Sequence, residues 1–239
     1  MFDIQISRYK DIEYKEYLLC ENSNVVILDV NCPPWAIKEI KKIFPKIIFL
    51  EGLEMSLSLE KLIKENIQKD TLLVFPGNGS NFVRKNLSNN FLKENRWINV
   101  FAKRNWFPGQ DPVVRVGELI PEVYLDCSIR RIIVIDDVIS SGLTMRKLYL
   151  ENYWRFPNAV WIAATWIMQF PRMKASSGIS GYVKTISIVI IEGSQKERVP
   201  VNSLSTLIDE PEIAENYAQR HLNGSKDFLG IIKKIKEGN

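Results

Sequence analysis

Two adjacent carboxylates at the end of an apolar run are the most chemically pointed feature of this 239-residue sequence. Asp136 and Asp137 follow RIIVI (131–135), and Ser140, Ser141, Gly142, Leu143 and Thr144 come almost at once. Like charges side by side repel, so a plain connection gains little from them. Carboxylates accept hydrogen bonds from sugar hydroxyls and attract Mg²⁺, directly or through water. The segment after them suits an anion: Gly142 lets the backbone approach closely, and hydroxyls add donors. Successive N–H groups and a helix start converge on the same place. One strand-loop-helix unit therefore offers carboxylates for a diol and a cradle for a phosphate. A ribose 5-phosphate carries both groups at about that separation.

A second stretch of this kind is TLLVFPGNGSNFVRKNL (71–87), a strand run followed by Pro76, Gly77, Asn78, Gly79 and Ser80 and then a helical pattern. Two glycines before a helix again suit an anion. Arg84 stands about one turn into that helix. A further apolar run, INVFA (98–102), delivers Lys103 and Arg104 at its end. The polar stretch after it, NWFPGQDP, contains Trp106 and Phe107, which would shield a reaction from water if the loop closes.

Positioning these groups requires alternating strands and helices. NVVILDV (24–30), KIIFL (46–50), TLLVF (71–75), INVFA, RIIVI, AVWIAATWIM (159–168) and ISIVII (186–191) read as buried strands. Helical spacing places Ala36, Ile37, Ile40, Ile43 and Phe44 on one face behind Pro33 and Pro34. The same spacing does so for Leu59, Leu62, Ile63 and Ile67. Further helices are expected from about Ser80 to Asn95 and from near Gly142. The fold class is α/β, with a largely parallel central sheet flanked by helices. In such sheets ligands bind at the carboxyl ends of strands, where Asp136 and Asp137 stand. Alternation points neighbouring strand residues in opposite directions, but a chain that turns here lets both carboxylates face one crevice. After residue 196 the pattern becomes a loop and a helical C-terminal appendage. Pro211 opens one helix and Ser225 caps another, which carries Phe228, Ile231, Ile232 and Ile235 on one face.

IVIDDVISSGLT (133–144) resembles the phosphoribosyl-diphosphate (PRPP) loop of type I phosphoribosyltransferases. That pattern is four apolar residues, two acids, two mostly apolar residues, then Thr/Ser-Thr/Ser-Gly-x-Thr/Ser. The resemblance extends over about residues 52–192. It implies that Asp136 and Asp137 hold the ribose hydroxyls and help place a Mg²⁺ ion, and that Ser140 to Thr144 hold the 5-phosphate. It gives Gly77, Asn78, Gly79 and Ser80 to the diphosphate, with charge from Lys103, Arg104 and Arg84. Relatives often carry Lys or Arg where Asn78 stands. Relatives acting on 6-oxopurines usually have an acid where Ser140 stands, which disfavours such a base here.

The implied organisation is an N-terminal βα segment (1–50), a phosphoribosyltransferase-like core (51–195) and the C-terminal loop and helices (196–239). The family's variable hood falls to the first fifty residues, to 170–206, or to both. The implied activity is Mg²⁺-dependent transfer of the 5-phosphoribosyl group from PRPP to a nitrogenous, nucleobase-like acceptor in nucleotide metabolism. The alternative is a catalytically silent PRPP-binding regulatory protein. Two-fold dimers are common for such folds, so a homodimer is expected. A Walker A loop, GxxxxGK[ST], is absent.

Bulk properties agree. A net charge of +4 suits a phosphorylated small molecule and is too weak to indicate nucleic acid. Cys20, Cys32 and Cys127 show no CxxC spacing, which argues against a zinc site or a disulfide framework. The charged N-terminus does not read as a signal peptide, and no apolar run nears the ~20 residues of a membrane span. The expectation is a soluble cytoplasmic protein, with His221 a surface residue of the tail.

Overall fold

The computed structural model describes residues 12–20, 24–29, 32–105, 113–117, 128–170, 181–193 and 199–238. The chain divides into two compact units. One takes in Ser56–Ile191 together with the N-terminal strand up to Leu18; the other comprises Leu19–Met55 and Glu192–Asn239.

The first unit is built on a six-stranded sheet. Its strands are β1 (Ile12–Cys20), β4 (Thr71–Pro76), β5 (Arg96–Val100), β8 (Arg131–Ile139), β9 (Val160–Phe170) and β10 (Lys184–Gly193), in the order β1-β10-β9-β8-β4-β5. β5, β4, β8 and β9 run parallel, with Thr71 opposite Arg131 and Leu72 opposite Arg96. All six residues of β4 are buried, as are Ile132 to Ile135 of β8. A strand covered on both faces needs such an unbroken apolar run. The sequence expectation of a largely parallel α/β sheet is met.

Two helices follow β4. α3 (Gly77–Asn86) and α4 (Asn89–Glu94) replace the single helix expected from Ser80 to Asn95. The break is chemical, since Ser88 caps α4 by accepting the Phe91 amide at 3.2 Å. The buried Glu60 of α2 (Gly52–Lys64) accepts from the Ser88 amide at 2.8 Å and from its hydroxyl at 2.9 Å. Behind β8 comes α5 (Leu143–Asn152), whose Met145 and Leu148 pack with Leu72, Val74, Ile132 and Val134. Between β5 and β8 a two-stranded antiparallel hairpin, β6 (Ala102–Asn105) and β7 (Val113–Val116), flanks the polar stretch that the sequence suggested as a loop.

The second unit joins segments far apart in the chain. β2 (Val25–Asp29), β3 (Ile47–Glu51) and β11 (Val201–Ser203) form a parallel sheet in the order β11-β2-β3. Its core gathers Ala36 and Ile40 of α1 (Pro34–Ile43) and Leu204 and Leu207 of α6 (Leu204–Asp209). To these it adds Tyr217 of α7 (Pro211–His221) and Phe228 and Ile232 of α8 (Lys226–Lys236). The tail is thus no free appendage, because its helices bury their apolar faces against the N-terminal βα segment. VNSLSTL (201–207) forms β11 and the start of α6, with Ser203 capping α6 by accepting the Thr206 amide at 3.2 Å. Ser225 caps α8 by accepting the Phe228 amide at 3.3 Å.

Candidate functional site

The site follows from strand order. β4 leads through α3 and α4 to β5 on one side, and β8 leads through α5 to β9 on the other. The strand order therefore reverses between the parallel neighbours β4 and β8. In open α/β sheets this switch point leaves a crevice at the strands' carboxyl ends. Pro76 to Ser80 leave β4 there, and Asp136 to Thr144 leave β8.

The two segments touch. A Cβ on Gly79 would stand 2.6 Å from Cγ and 2.8 Å from Oδ2 of Asp137, so the first turn of α3 lies directly on that carboxylate. Gly77 has φ +71°, in the left-handed region that favours glycine. A side chain there would meet the Ala102 carbonyl oxygen at 2.7 Å. Ala102 begins β6, so Lys103 stands one residue from the crevice. Residues from three separate stretches are brought to one place.

The aspartates are arranged differently from the one-crevice expectation. β8 does not turn at residue 136; it continues to Ile139, with Asp136 opposite Thr165 and Val138 opposite Ile167. Strand alternation then sends the carboxylates to opposite faces. Asp137 lies on the α3 face, against Gly79. Asp136 shares the parity of Ile132 and Val134, which face α5. Each carboxylate also accepts the next backbone amide: Asp137 N–H donates to Asp136 Oδ1 at 3.0 Å, and Val138 N–H to Asp137 Oδ1 at 2.8 Å.

Beyond the acids, Ser140 and Ser141 are half-buried, and Gly142 takes φ +68° as the N-cap of α5. The Leu143 amide lies 3.5 Å from Ser141 Oγ, and the Arg146 amide donates to the Gly142 carbonyl at 2.8 Å. Thr144 is half-buried in a first turn that contains no acid. A helix start without an acid leaves its partial positive charge for an external anion.

Other expected residues fall elsewhere. PGNGS is not a loop, since Gly77 to Ser80 form the first turn of α3. Asn78 is exposed there, whereas Ser80 is fully buried and donates to the Gly77 carbonyl at 2.9 Å. Arg84 sits in the last turn of α3, roughly 10 Å along the axis from Gly77. Its guanidinium stacks on the Trp97 ring at 4.9 Å, so it does not join the crevice turn. Lys103 is exposed on β6, and Arg104 pairs with Val114 in the hairpin register, its side chain lying outside the described residues. Trp106, Phe107 and much of the suggested hood, 171–180 and 194–198, also lie outside them, as does Cys127. Cys20 and Cys32 are buried, and His221 is exposed at the end of α7.

Sequence reasoning missed the supports. Tyr182 donates its hydroxyl to the Met145 carbonyl at 3.0 Å, tying the approach to β10 to the first turn of α5. Burial, then Tyr149 and Asp136, pushes that hydroxyl's pKa well up, so it stays a donor. Thr165 donates to the Asp137 carbonyl at 2.9 Å. Neither residue has a local signal, because each acts across the sheet.

No family model matches the chain, and no curated protein matches it. Similar solved structures include a purine phosphoribosyltransferase from Pyrococcus horikoshii, at 13% identity over 74% of this chain and 92% of that one, TM-score 0.44. A xanthine-guanine-hypoxanthine phosphoribosyltransferase from Helicobacter pylori is 14% identical over 68% and 93%, TM-score 0.44. A hypothetical protein from Neisseria gonorrhoeae with bound ppGpp is 17% identical over 73% and 93%, TM-score 0.46. Two of the three are named phosphoribosyltransferases. Among the described residues no helix is long and apolar enough to cross a membrane.

Proposed function

We propose that this protein transfers the 5-phosphoribosyl group from PRPP to a nitrogenous, nucleobase-like acceptor and releases diphosphate. The observation that carries the reading is the packing of Gly79 on Asp137 across the β4/β8 switch point. It sets an anion-suited helix turn against the Asp137 carboxylate, in the segment that runs on into the second anion-suited turn.

The bond between ribose C1 and the diphosphate oxygen breaks, and its electron pair leaves with diphosphate. The acceptor nitrogen supplies the pair for the new C1–N bond and sheds its proton. The sugar passes through an oxocarbenium-like state, so positioning and charge stabilisation dominate. The Ser140–Thr144 turn and the start of α5 would hold the 5-phosphate. Asp136 would meet the sugar from the α5 side and Asp137 from the α3 side. The first turn of α3 would offer backbone amides to the diphosphate, with Lys103 and Arg104 supplying positive charge.

Among the described residues no group of three or more His, Cys, Asp or Glu stands together as a metal cage. Asp136 and Asp137 are the carboxylates that would hold Mg²⁺ in its usual nucleotide-type mode, in which substrate oxygens and water supply most of the ligands. The chemistry the ion supplies when bound is neutralisation of the departing diphosphate.

Titration calorimetry with PRPP, with and without Mg²⁺, tests the reading. Binding is expected, with a loss of at least tenfold in the Asp136→Asn, Asp137→Asn double variant; unchanged binding in that variant sinks it. Diphosphate release across a panel of bases then reads catalysis. One observation favours the alternative, a PRPP-binding regulator: the first turn of α3 holds no cation, and Arg84 is committed to Trp97. Binding without turnover on any acceptor would establish that alternative.

A further inference from the structure

The second unit separates its charges. α1 carries three lysines against Glu39, and α8 carries four against Asp227, with Glu237 just beyond. That excess equals the +4 of the whole chain. The acids of the unit collect instead on α6, α7 and the turn between them, at Asp209, Glu210, Glu212 and Glu215. A balance taken over the chain therefore hides the basic face. α1 and α8 pack together through Ala36, Ile40, Ile231 and Ile232. Their lysines meet around one carboxylate: a hydrogen bond from Lys42, at 2.5 Å, and the charges of Lys42, Lys38 and Lys234 hold Glu39 below the usual carboxylate pKa.

Gly230 sits in the middle of the outer face of α8. Phe228, Ile231 and Ile232 take the inner face, while Lys226, Lys233 and Lys234 surround Gly230 at i−4, i+3 and i+4. Glycine inside a helix costs stability relative to alanine. Here a Cβ would meet nothing within 4 Å, and the backbone is ordinary helix, so neither a neighbour nor a turn requires it. The missing side chain leaves bare backbone ringed by three exposed cations and open to close approach. Among the described residues Lys226 and Lys234 have no ion pair, and Lys233 has a long one, 3.9 Å to Glu237.

The chemistry of the face selects its occupant. Every cation on it is a lysine, which binds phosphate as a point charge without the fork of arginine. Trp35, 37% exposed, stands one turn before Lys38 and Glu39 on α1 and offers a ring for a base to stack on. α8 keeps its apolar residues inside, so that helix has none to insert into a bilayer. A second copy would bring the same positive charge against this face. We infer that the α1–α8 face binds single-stranded nucleic acid without reading its sequence, the phosphates lying over Gly230 among Lys226, Lys233 and Lys234 and a base stacking on Trp35. The inference does not depend on the proposed function, since every residue in it belongs to the second unit.

The test is fluorescence anisotropy of labelled oligo(dT) on the full-length protein over a salt series, with vesicles of neutral and anionic lipid assayed in parallel. Binding is expected at low salt and should weaken steeply as salt rises. The Lys233→Gln, Lys234→Gln double variant should lose about tenfold in affinity, and its slope of log affinity against log salt should flatten by about 1.4, roughly 0.7 per phosphate contact. Lys233→Arg with Lys234→Arg should bind as wild type does. Gly230→Ala should raise the thermal midpoint yet weaken binding severalfold, and Trp35→Leu should weaken binding with the salt slope unchanged. No binding by wild type, or equal affinity and slope in the Gln variant, overturns the inference. So does a loss of affinity in that variant matched by a lowered midpoint, which makes the lysines structural. Wild-type affinity in Gly230→Ala also overturns it, because the close approach is then absent. Capture by anionic vesicles in preference to the oligonucleotide gives the face to a membrane and overturns it as well.

Discussion

Glycine at position 79 is required by a carboxylate and not by a turn. Its backbone is ordinary helix, where alanine would normally stabilise by roughly 0.5–1 kcal/mol. In this fold a methyl group there would displace the Asp137 carboxylate, a short side chain able to swing aside. Gly79→Ala should therefore keep or slightly raise thermal stability while lowering PRPP affinity at least tenfold. In an Asp137→Ala background the same change should have almost no further effect on binding, since the partner it displaces is gone. Comparable binding losses from Gly79→Ala in both backgrounds would refute this coupling. The sequence marks the pair of glycines as suited to an anion, but nothing local says that one of them exists to admit an aspartate from β8.

At the scale of elements, the break between α3 and α4 shows how one buried acid organises the unit. Glu60 of α2 receives the Ser88 amide and hydroxyl, and Lys64 at 2.7 Å. Burial alone would raise its pKa, but the hydrogen bonds from Lys64 and Ser88 outweigh this and hold it below the usual carboxylate value. A depressed folded-state pKa contributes stability that is present above the unfolded value, near 4.3, and is lost as pH falls through the folded value. Glu60→Gln should cost about 1–3 kcal/mol at neutral pH. The gap to wild type should close as denaturant midpoints are followed down through pH 4 and below. A gap independent of pH would assign the effect to packing. The expected 80–95 helix failed at this point because a lone Ser in a helical pattern reads as a weak interior residue. Its role as a cap depends on Glu60, 28 residues away.

At the scale of the whole molecule, the proposed site belongs to the first unit. The second unit has its own parallel sheet and its own core, closed by helices from the C-terminal end. Hydrogen exchange with and without ribose 5-phosphate should show protection at 140–146 and leave 211–236 unchanged. Protection confined to 211–236 would place the phosphate elsewhere. The division joins Leu19–Met55 to Glu192–Asn239, stretches that read as separate pieces in the sequence, and leaves the N-terminal strand up to Leu18 with the first unit. β2 and β11 pair through Val26 and Val201, and a parallel partner so distant in the chain leaves no periodicity to detect.

The sequence alone determined the buried strands with unbroken apolar runs, because a run such as TLLVF or RIIVI has only one low-energy home, between two covered faces. It also determined the chemical types at the site, since acids, glycines and hydroxyls at strand ends are local facts. Only the tertiary structure decided how they meet. The extension of β8 past residue 135 set Asp136 and Asp137 on opposite faces, and the stacking of Arg84 on Trp97 removed one expected cation. The pairing of β6 with β7 put Arg115 opposite Lys103. Each of these outcomes depends on hydrogen-bond register or packing between segments remote in sequence, which no single stretch of the chain encodes.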